Sequence, residues 1–466
     1  MAGIGFALRR LSNEENLLSR AASMGHAAVI AAGPWIFTIL SLGLITITTE
    51  PVAGLQTLET FRCAVIYAFA ISLVTTAPVA IVTTRLVADG LYQRKFESIA
   101  GVYIGSLSAA TLPVIVAIVL MYAGVFKIPL PLGIASGACC LIVALIWISL
   151  ALAGTVHDYM GVTVSFVVGL VVSIGGALGA AVLDLGAVGL IWGFNAGLSV
   201  TLFCLMARVL TTFPHQVADP ISGVRDLWIA VKRYKVIALG ALVANAAIWV
   251  DKWVMWASDI AETVQGGFVH APLYDSAMFV ACLVIIPALS LFIVHLETDF
   301  FESYQLYFGN VRQHATLRRI EESRKSLVEV ALGSLFHIVL IQAALCAVVV
   351  LMAPVIADTL NLQYRQISIL RYGALSALFQ FLFLASSAIL LFLDQRMRYL
   401  GLQVLFFVLN AGLTYVSIKL GWRFHGVGFF LATLISSLVA YAVMERTLAN
   451  LNFLTFIGNN PSVRGE

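Results

Sequence analysis

The chain has 466 residues, of which 61% are hydrophobic and only 11% are charged, and its formal net charge at pH 7 is +3. Soluble domains carry roughly 25% charged residues, so the composition excludes an ordinary soluble protein, and the small net charge does not favour nucleic-acid binding. Apolar runs of roughly 20 residues, the length a helix needs to cross about 30 Å of hydrocarbon, alternate with short charged stretches. The composition therefore predicts an all-α integral membrane protein.

A polar, amphipathic segment opens the chain before the first apolar run. This run is long enough to span a membrane and lacks a clean small-residue cleavage site, so it is predicted to be a retained first helix rather than a signal peptide. About 12 transmembrane helices are predicted in chain order. They cover residues 27–48, 63–85, 101–124, 131–153, 161–182, 187–210, 235–257, 273–296, 328–353, 368–392, 398–419 and 425–446.

The six cysteines all lie in these apolar runs or at their edges. None has the spacing of a metal site or of a disulfide framework, so they are predicted to be small packing residues. They are Cys63, Cys139, Cys140, Cys204, Cys282 and Cys346.

The basic residues between the predicted helices indicate an orientation. With the N-terminus in the cytoplasm, 20 lysines and arginines face the cytoplasm and five face the opposite side. The excess of cytoplasmic positive charge predicts that both termini are cytoplasmic and that the number of spans is even. The five basic residues on the opposite side are Arg62, Lys127, Arg365, Lys419 and Arg423.

The longest mid-chain loop divides the predicted helices into two six-helix lobes. Each lobe begins in the cytoplasm, so the lobes are predicted to be parallel repeats about an axis along the membrane normal. An offset of 209 residues (287 minus 78) places Pro78 opposite Pro287, each in the second helix of its lobe. The predicted segments are a cytoplasmic N-terminus at 1–26, a lobe at 27–211, a cytoplasmic linker at 212–234, a lobe at 235–448 and a cytoplasmic tail at 449–466.

The sequence shows none of the motifs of enzymes or of metal sites. It has no phosphate-binding loop, nucleophile elbow, metal-binding helix motif or paired-carboxylate signature. Accordingly, no catalytic residue, metal or cofactor is predicted, and the informative residues are the charges inside the membrane.

Asp251 is the one acidic residue of 24 that lies well inside a predicted helix, and Lys252 follows it directly. Helical neighbours diverge by about 100°, so the two side chains are predicted to point to different faces and not to form a simple ion pair. Lys252 shares one stripe with Asn245, Trp249 and Trp256. Aromatic faces stack on the C–H surfaces of sugars while polar groups bind hydroxyls, so this stripe is a candidate conduit for carbohydrate.

Two alternatives remain open for these residues. In the first, the stripe is only structural: both tryptophans belong to the interfacial aromatic belt, and Lys252 reaches towards the interface. Alternatively, Asp251 serves in a proton relay, because intramembrane carboxylates are costly and usually face a cavity or a partner. Arg371, the second buried cation, is predicted to pair with Asp251 and so to remove the cost of two lone charges.

Gly33 and Pro34 lie early in the first predicted helix. A proline inside a helix removes a backbone hydrogen bond and bends the helix, so this pair is a candidate for the motion of one lobe against the other.

An acidic and aromatic segment follows the eighth predicted helix, and basic helix-like sequence continues from it to Lys325. It is interpreted either as a solvated, charged helix pair or as a docking surface for a cytosolic partner. The candidate docking residues are Glu297, Asp299, Phe300, Phe301 and Glu302.

Four stretches of the chain resemble the Pel exopolysaccharide transporter family, and the likeness in length and span number covers essentially the whole chain. They are residues 1–10 (MAGIGFALRR), Gly33-Pro34-Trp35, residues 248–253 (IWVDKW) and residues 297–302 (ETDFFE).

The family is part of the multidrug/oligosaccharidyl-lipid/polysaccharide flippase superfamily. This implies two six-helix lobes around a central cavity, alternating access, a bacterial inner-membrane location and export of a polymer rich in N-acetylgalactosamine. The implied partners are a cytosolic UDP-sugar glycosyltransferase, a cyclic-di-GMP-sensing membrane subunit and a tetratricopeptide-repeat membrane subunit.

The sequence therefore predicts a polysaccharide transporter that makes no covalent bond itself. Alternative readings are a flippase for lipid-linked oligosaccharide or a cation-coupled drug antiporter on the same scaffold. A third alternative, from a different class, is a non-transporting membrane scaffold for a glycosyltransferase.

Overall fold

The computed structural model describes residues 40–94, 96–156, 159–214, 220–264 and 266–458. The chain divides into two compact units, with the boundary between Pro272 and Leu273. They are called the N-terminal unit and the C-terminal unit below.

The N-terminal unit consists of long apolar helices and one short hairpin. Helix α3 continues as a π-helical turn over Val119–Val125, and β1 and β2 are antiparallel, with Glu262 opposite His270. In chain order the elements are α1 (Leu40–Ala53), α2 (Leu55–Tyr92), α3 (Glu97–Ile118), α4 (Leu130–Val156), α5 (Tyr159–Val182), α6 (Gly186–Thr212), α7 (Pro220–Arg233), α8 (Lys235–Trp256), β1 (Glu262–Thr263) and β2 (Val269–His270).

The C-terminal unit is also helical. A 3-10 turn over Leu283–Ile285 separates α9 from α10, with Pro287 in the first turn of α10, and π-helical turns follow at Leu296–Phe300 and Leu454–Gly458. The helices are α9 (Pro272–Cys282), α10 (Ile286–His295), α11 (Phe301–Arg312), α12 (Leu317–Thr359), α13 (Gln366–Phe392), α14 (Arg396–Leu420), α15 (Val427–Ala449) and α16 (Leu451–Phe453).

The prediction of an all-α membrane protein with about 12 spans is confirmed. Within the described ranges, 11 helical segments are long and apolar enough to cross a membrane. The first predicted helix, 27–48, lies partly outside the described residues, and its described part belongs to α1. Most predicted helices match to within a few residues, but α2 and α12, with 38 and 43 residues, extend well beyond the predicted 63–85 and 328–353.

The boundary of the compact units differs from the predicted lobe boundary. The predicted C-terminal lobe began at residue 235, whereas α8 packs with the N-terminal unit. Helix α8 packs on α2, and Trp256 at the end of α8 stacks on Tyr67. The predicted bounds of the two lobes stay a prediction. The predicted linker at 212–234 contains helix α7.

Close backbone contact joins α5 and α6, which form the wall of the site described below. A Cβ atom on Gly176 would lie 2.7 Å from the carbonyl oxygen of Gly193, and a Cβ on Gly193 would meet the backbone of Gly176. Small residues are what allow two membrane helices to approach so closely. Gly176 and Gly193 therefore have a packing role, whereas a Cβ at Gly175 or Gly179 would meet open space.

Candidate functional site

Asp251 and Lys252 form an ion pair on α8. The Lys252 Nζ atom lies 2.9 Å from Asp251 Oδ2, and the side chain of Asp251 is fully buried while that of Lys252 is 14% exposed. The prediction that these neighbours do not pair is wrong. The four-carbon lysine stem is long enough to fold back over its own helix, and Nζ also reaches the carbonyl oxygen of Ile248 at 3.5 Å.

The predicted stripe lies on helix α8, and two of its side chains, Trp249 and Lys252, are in contact. Lys252 Nζ lies 5.8 Å from the ring centroid of Trp249, in the range of a cation–π contact. Trp249 is 5% exposed, and Asn245 donates from Nδ2 to the carbonyl oxygen of Ala241 at 2.8 Å. The amide, the aromatic ring and the cation therefore follow one another along the helix.

Trp256, the last member of the stripe, belongs to an aromatic cluster. Its ring stacks on Tyr67 at 4.6 Å between centroids with 21° between the planes. Tyr67 also contacts Phe126 and Phe268 at 5.1 Å each, and its hydroxyl donates to the carbonyl oxygen of Val269 at 2.6 Å. This cluster ties the hairpin to α2, and it covers one face of the Trp256 ring.

A second feature of the N-terminal unit is a narrow cleft among α1, α2, α4, α5 and α6. The empty space in and around it is about 420 Å³, part of which is open to the outside. No sequence pattern distinguishes the residues that line it, because hydroxyl and aromatic side chains in apolar helices give no signal distinct from packing. The lining consists of Ser41, Phe69, Val143, Ile146, Trp147, Phe166, Gly169, Leu170, Ser173, Phe194, Leu198 and Thr201.

The cleft is neutral and combines aromatic rings with hydroxyls. Ser173 Oγ donates to the carbonyl oxygen of Phe194 at 3.1 Å, and Thr201 Oγ1 donates to that of Gly197 at 3.2 Å. The indole nitrogen of Trp147 is buried and has no hydrogen-bond partner in the described part of the chain. No acidic side chain is among the lining residues. The cleft is thus suited to neutral polar groups.

Arg371 lies on α13 in the C-terminal unit. Its Nε atom donates to the carbonyl oxygen of Val350 on α12 at 3.3 Å, and the residue is exposed. The predicted pairing of Arg371 with Asp251 would join the two compact units and stays a prediction. In the structure, Arg371 contacts Val350 and Asp251 contacts Lys252.

The candidate docking segment is helical rather than a loop. It runs from the π-helical turn Leu296–Phe300 into α11. Phe300 is 1% exposed and packs against Phe392 at 5.7 Å. Asp299 and Glu302 are exposed, and Asp299 pairs with His295 at 3.0 Å. The two acidic side chains therefore lie on the surface of this segment, whereas the ring of Phe300 belongs to the core.

The remaining candidates are Phe301, which is half-buried, Gly33 and Pro34, which lie outside the described residues, and Glu297, whose side chain also lies outside them. Their predicted roles stay predictions. Among the described residues, no group of three or more His, Cys, Asp or Glu side chains is placed to hold a metal ion.

Solved structures with this fold are membrane transporters. A crystal structure of MATE in the bent conformation has a TM-score of 0.64 and 16% identity, and the match covers 97% of each chain. A MOP superfamily transporter from Pyrococcus furiosus has a TM-score of 0.61 and 15% identity, over 92% of this chain and 96% of the other. At such identities the likeness shows the fold alone.

A multidrug resistance MATE family transporter in an outward-facing conformation gives a similar result. Its TM-score is 0.58 at 17% identity, over 91% of this chain and 96% of the other. No curated protein matches the chain. The family model described as "PelG: Putative exopolysaccharide Exporter (EPS-E)" matches residues 1–456. The expected resemblance is thereby confirmed: the chain belongs to the PelG family of exopolysaccharide exporters and has the fold of MATE-like membrane transporters.

Proposed function

We propose that this membrane transporter exports a nascent N-acetylgalactosamine-rich exopolysaccharide, Pel, from the cytoplasm to the periplasm without making a covalent bond. The observation that carries the proposal is the neutral chemistry around α8. The charges of Asp251 and Lys252 cancel, Trp249 lies against Lys252, and Asn245 lies one turn before Trp249 on the same face of α8. An uncharged amino-sugar polymer needs hydroxyl-binding groups and aromatic faces, and it needs no unbalanced charge.

The proposed location is the bacterial inner membrane, with both termini in the cytoplasm. The 20-to-5 distribution of basic residues supports this orientation. A cytosolic UDP-sugar glycosyltransferase would deliver the growing polymer, assisted by cyclic-di-GMP-sensing and tetratricopeptide-repeat membrane subunits. The exposed acidic residues Asp299 and Glu302 are the proposed docking groups for the synthase.

Gly33 and Pro34 complete the proposal as the candidate bend for lobe motion. A proline bend concentrates flexibility at one point of a helix, which is what a rocking lobe requires. Arg371 is proposed as a further conduit residue that faces the polymer.

A cation-coupled antiporter is less well supported by the site. Such a transporter needs a carboxylate that alternates between a cation-bound and a free state. The ammonium of Lys252 already neutralises Asp251, and no carboxylate lines the cleft. A flippase for lipid-linked oligosaccharide would share the neutral chemistry, so it differs from the proposal in substrate rather than in site.

The experiment that tests the proposal measures polymer location in cells that lack this protein. The cells are complemented with wild type, with Lys252→Ala, or with the double variant Asp251→Asn/Lys252→Gln, which removes both charges and so leaves no lone charge. If these side chains contact the polymer, extracellular polymer falls at least tenfold for both variants, while membrane levels of the protein and its association with the synthase stay normal.

The partly exposed ion pair of Asp394 and Arg396, 2.8 Å apart, provides a matched control. The double variant Asp394→Asn/Arg396→Gln is expected to secrete polymer normally. Normal secretion by the α8 double variant would instead make the pair structural and remove it from the conduit. Normal secretion by cells without the protein would overturn the export function itself.

A further inference from the structure

Helix α7 lies between two membrane spans but is too short to be one. Its 14 residues rise only about 21 Å, compared with about 30 Å of hydrocarbon. Since α6 and α8 both cross the membrane and α7 does not, α7 lies at the membrane face where α6 ends and α8 begins.

One face of α7 is fixed to the N-terminal unit. Gly223 is buried, and a Cβ atom there would clash with the carbonyl group of Gly101 on α3. Leu227 is 3% exposed, and the hydroxyl of Tyr234, just after α7, donates to Asp89 Oδ2 at 2.9 Å. These contacts fix the rotation of α7 about its axis. They therefore also fix which side chains lie on the flank that faces away from the N-terminal unit.

The flank next to the buried face is apolar and then basic. Val224 and Trp228 are 37% and 61% exposed. Lys232 Nζ lies 5.3 Å from the Trp228 ring centroid, and the exposed Arg225 lies one turn before Trp228 on the same side of the helix. Asp226, the next residue, lies about 100° round the helix axis from Arg225. Apolar and aromatic side chains followed by basic ones are the pattern of a helix at a lipid interface.

We propose that the flank of Val224, Trp228, Arg225 and Lys232 is a binding surface for the headgroups of anionic phospholipids. Trp228 inserts at the headgroup level, and the two cations contact the lipid phosphates. Three features of α7 favour an anionic phospholipid as the ligand of this flank. They are the position of α7 at the membrane face, the exposed indole of Trp228, and the excess of basic over acidic side chains on the flank. The inference is independent of the proposed export function.

The test uses full-length protein reconstituted in phosphatidylcholine vesicles that contain increasing fractions of phosphatidylglycerol. Bromine on the acyl chains of one lipid at a time quenches nearby tryptophans, and subtraction of the Trp228→Phe variant isolates the signal of Trp228. Brominated phosphatidylglycerol is expected to quench Trp228 at lower mole fractions than brominated phosphatidylcholine. Each of Arg225→Gln and Lys232→Gln should lower the relative association constant for the anionic lipid about fivefold.

Arg318→Gln is the matched control, because Arg318 is an exposed cation at the start of α12, and it should leave the Trp228 signal unchanged. Equal quenching by the two brominated lipids would overturn headgroup recognition. An absence of quenching by either lipid, together with strong quenching by aqueous iodide, would overturn the lipid contact and make the flank a protein-docking surface.

Discussion

Lys252 neutralises Asp251, the residue directly before it, through a 2.9 Å contact between Nζ and Oδ2. Both residues belong to α8, so the cation and the anion lie on the same helix. An ion pair inside a membrane span avoids the cost of a lone charge, which translocon measurements put at about 2.5–3.5 kcal/mol at the helix centre.

The first prediction concerns the two halves of this pair. Asp251→Asn leaves the Lys252 cation without its partner and is expected to lower stability by about 3 kcal/mol. Adding Lys252→Met should restore most of that loss, because a methionine is similar in length and uncharged. Thermal melting of the purified protein in detergent measures both effects. A double variant no more stable than Asp251→Asn alone would show that the aspartate has a partner more important than Lys252.

This pair also shows which features of α8 could be predicted from the sequence and which could not. Helical spacing correctly placed Asn245, Trp249, Lys252 and Trp256 on one stripe, since the angle per residue is fixed. The same angle led to the wrong prediction for Asp251 and Lys252, because it describes Cβ directions and not the reach of a flexible four-carbon chain.

The second prediction concerns the contact between α5 and α6. Gly176→Ala should destabilise the N-terminal unit by about 1–3 kcal/mol, because the new methyl group meets the backbone of Gly193 and the helices must separate. Gly179 lies on the same helix with open space around its Cβ position, so Gly179→Ala is the matched control and should be neutral. Melting temperatures of the two variants give the comparison, and equal effects would contradict the packing role of Gly176.

The third prediction concerns the hydroxyl of Tyr67. Tyr67→Phe keeps the ring on Trp256 but removes the hydrogen bond to the carbonyl of Val269, at a cost of about 1 kcal/mol. Because that bond ties the hairpin to α2, the amides of residues 262–270 should exchange with deuterium several-fold faster. Tyr364→Phe, at a side chain that is 84% exposed, is the control. Unchanged exchange in the hairpin would mean that the aromatic stack alone holds it.

The fold was more predictable than the candidate site, for a physical reason. Span positions follow from hydrophobic length, which the sequence states directly, so the predicted 187–210 corresponds to α6 at Gly186–Thr212. The cleft around Trp147 depends on which helices are neighbours, and no local pattern encodes that. The assignment of α8 to the N-terminal unit likewise rests on the contact of Trp256 with Tyr67, 189 residues earlier (256 minus 67).

The fourth prediction concerns a polar network that anchors the end of the chain to the C-terminal unit. Arg324 pairs with Glu321 at 2.6 Å and donates to the carbonyl oxygen of Ala449 at the end of α15 at 3.1 Å. Glu321 accepts from Asn452 Nδ2 at 2.7 Å, and Asn452 Oδ1 accepts from the hydroxyl of Tyr307 at 2.9 Å. Arg324→Lys keeps the charge but loses the planar guanidinium group that donates several hydrogen bonds at once. The substitution should therefore lower the stability of the protein by about 1–2 kcal/mol.

Limited proteolysis of the C-terminal segment checks this outcome, since its release exposes the chain after α15. Arg318→Lys is the matched control, because the side chain is 91% exposed and its pair with Glu322 is a surface pair of small energy. Proteolysis at equal rates in the two variants would contradict the anchoring role of Arg324.

The last prediction concerns pH and the hairpin. Burial lowers the pKa of His270 below its ordinary value of 6.5, and the nearby Arg62 lowers it further, against the opposing effect of Glu262 and Glu59. Below pH 6.5, His270 therefore binds a proton more readily in the unfolded chain than in the folded hairpin. The stability contributed by neutral His270 is fully present above pH 6.5 and is lost as the pH falls through the lowered pKa of the folded state.

Melting temperatures at pH 7.5 and pH 5.5 measure this loss, and His270→Gln should make it smaller than in wild type. Glu262→Gln provides the test of sign. Glu262 lies opposite His270 in the hairpin and raises its pKa, so removing this carboxylate lowers that pKa further and should enlarge the acid-induced loss. If Glu262→Gln instead made the protein more resistant to acid, the carboxylate and not the histidine would be the group that sets the pH dependence of the hairpin.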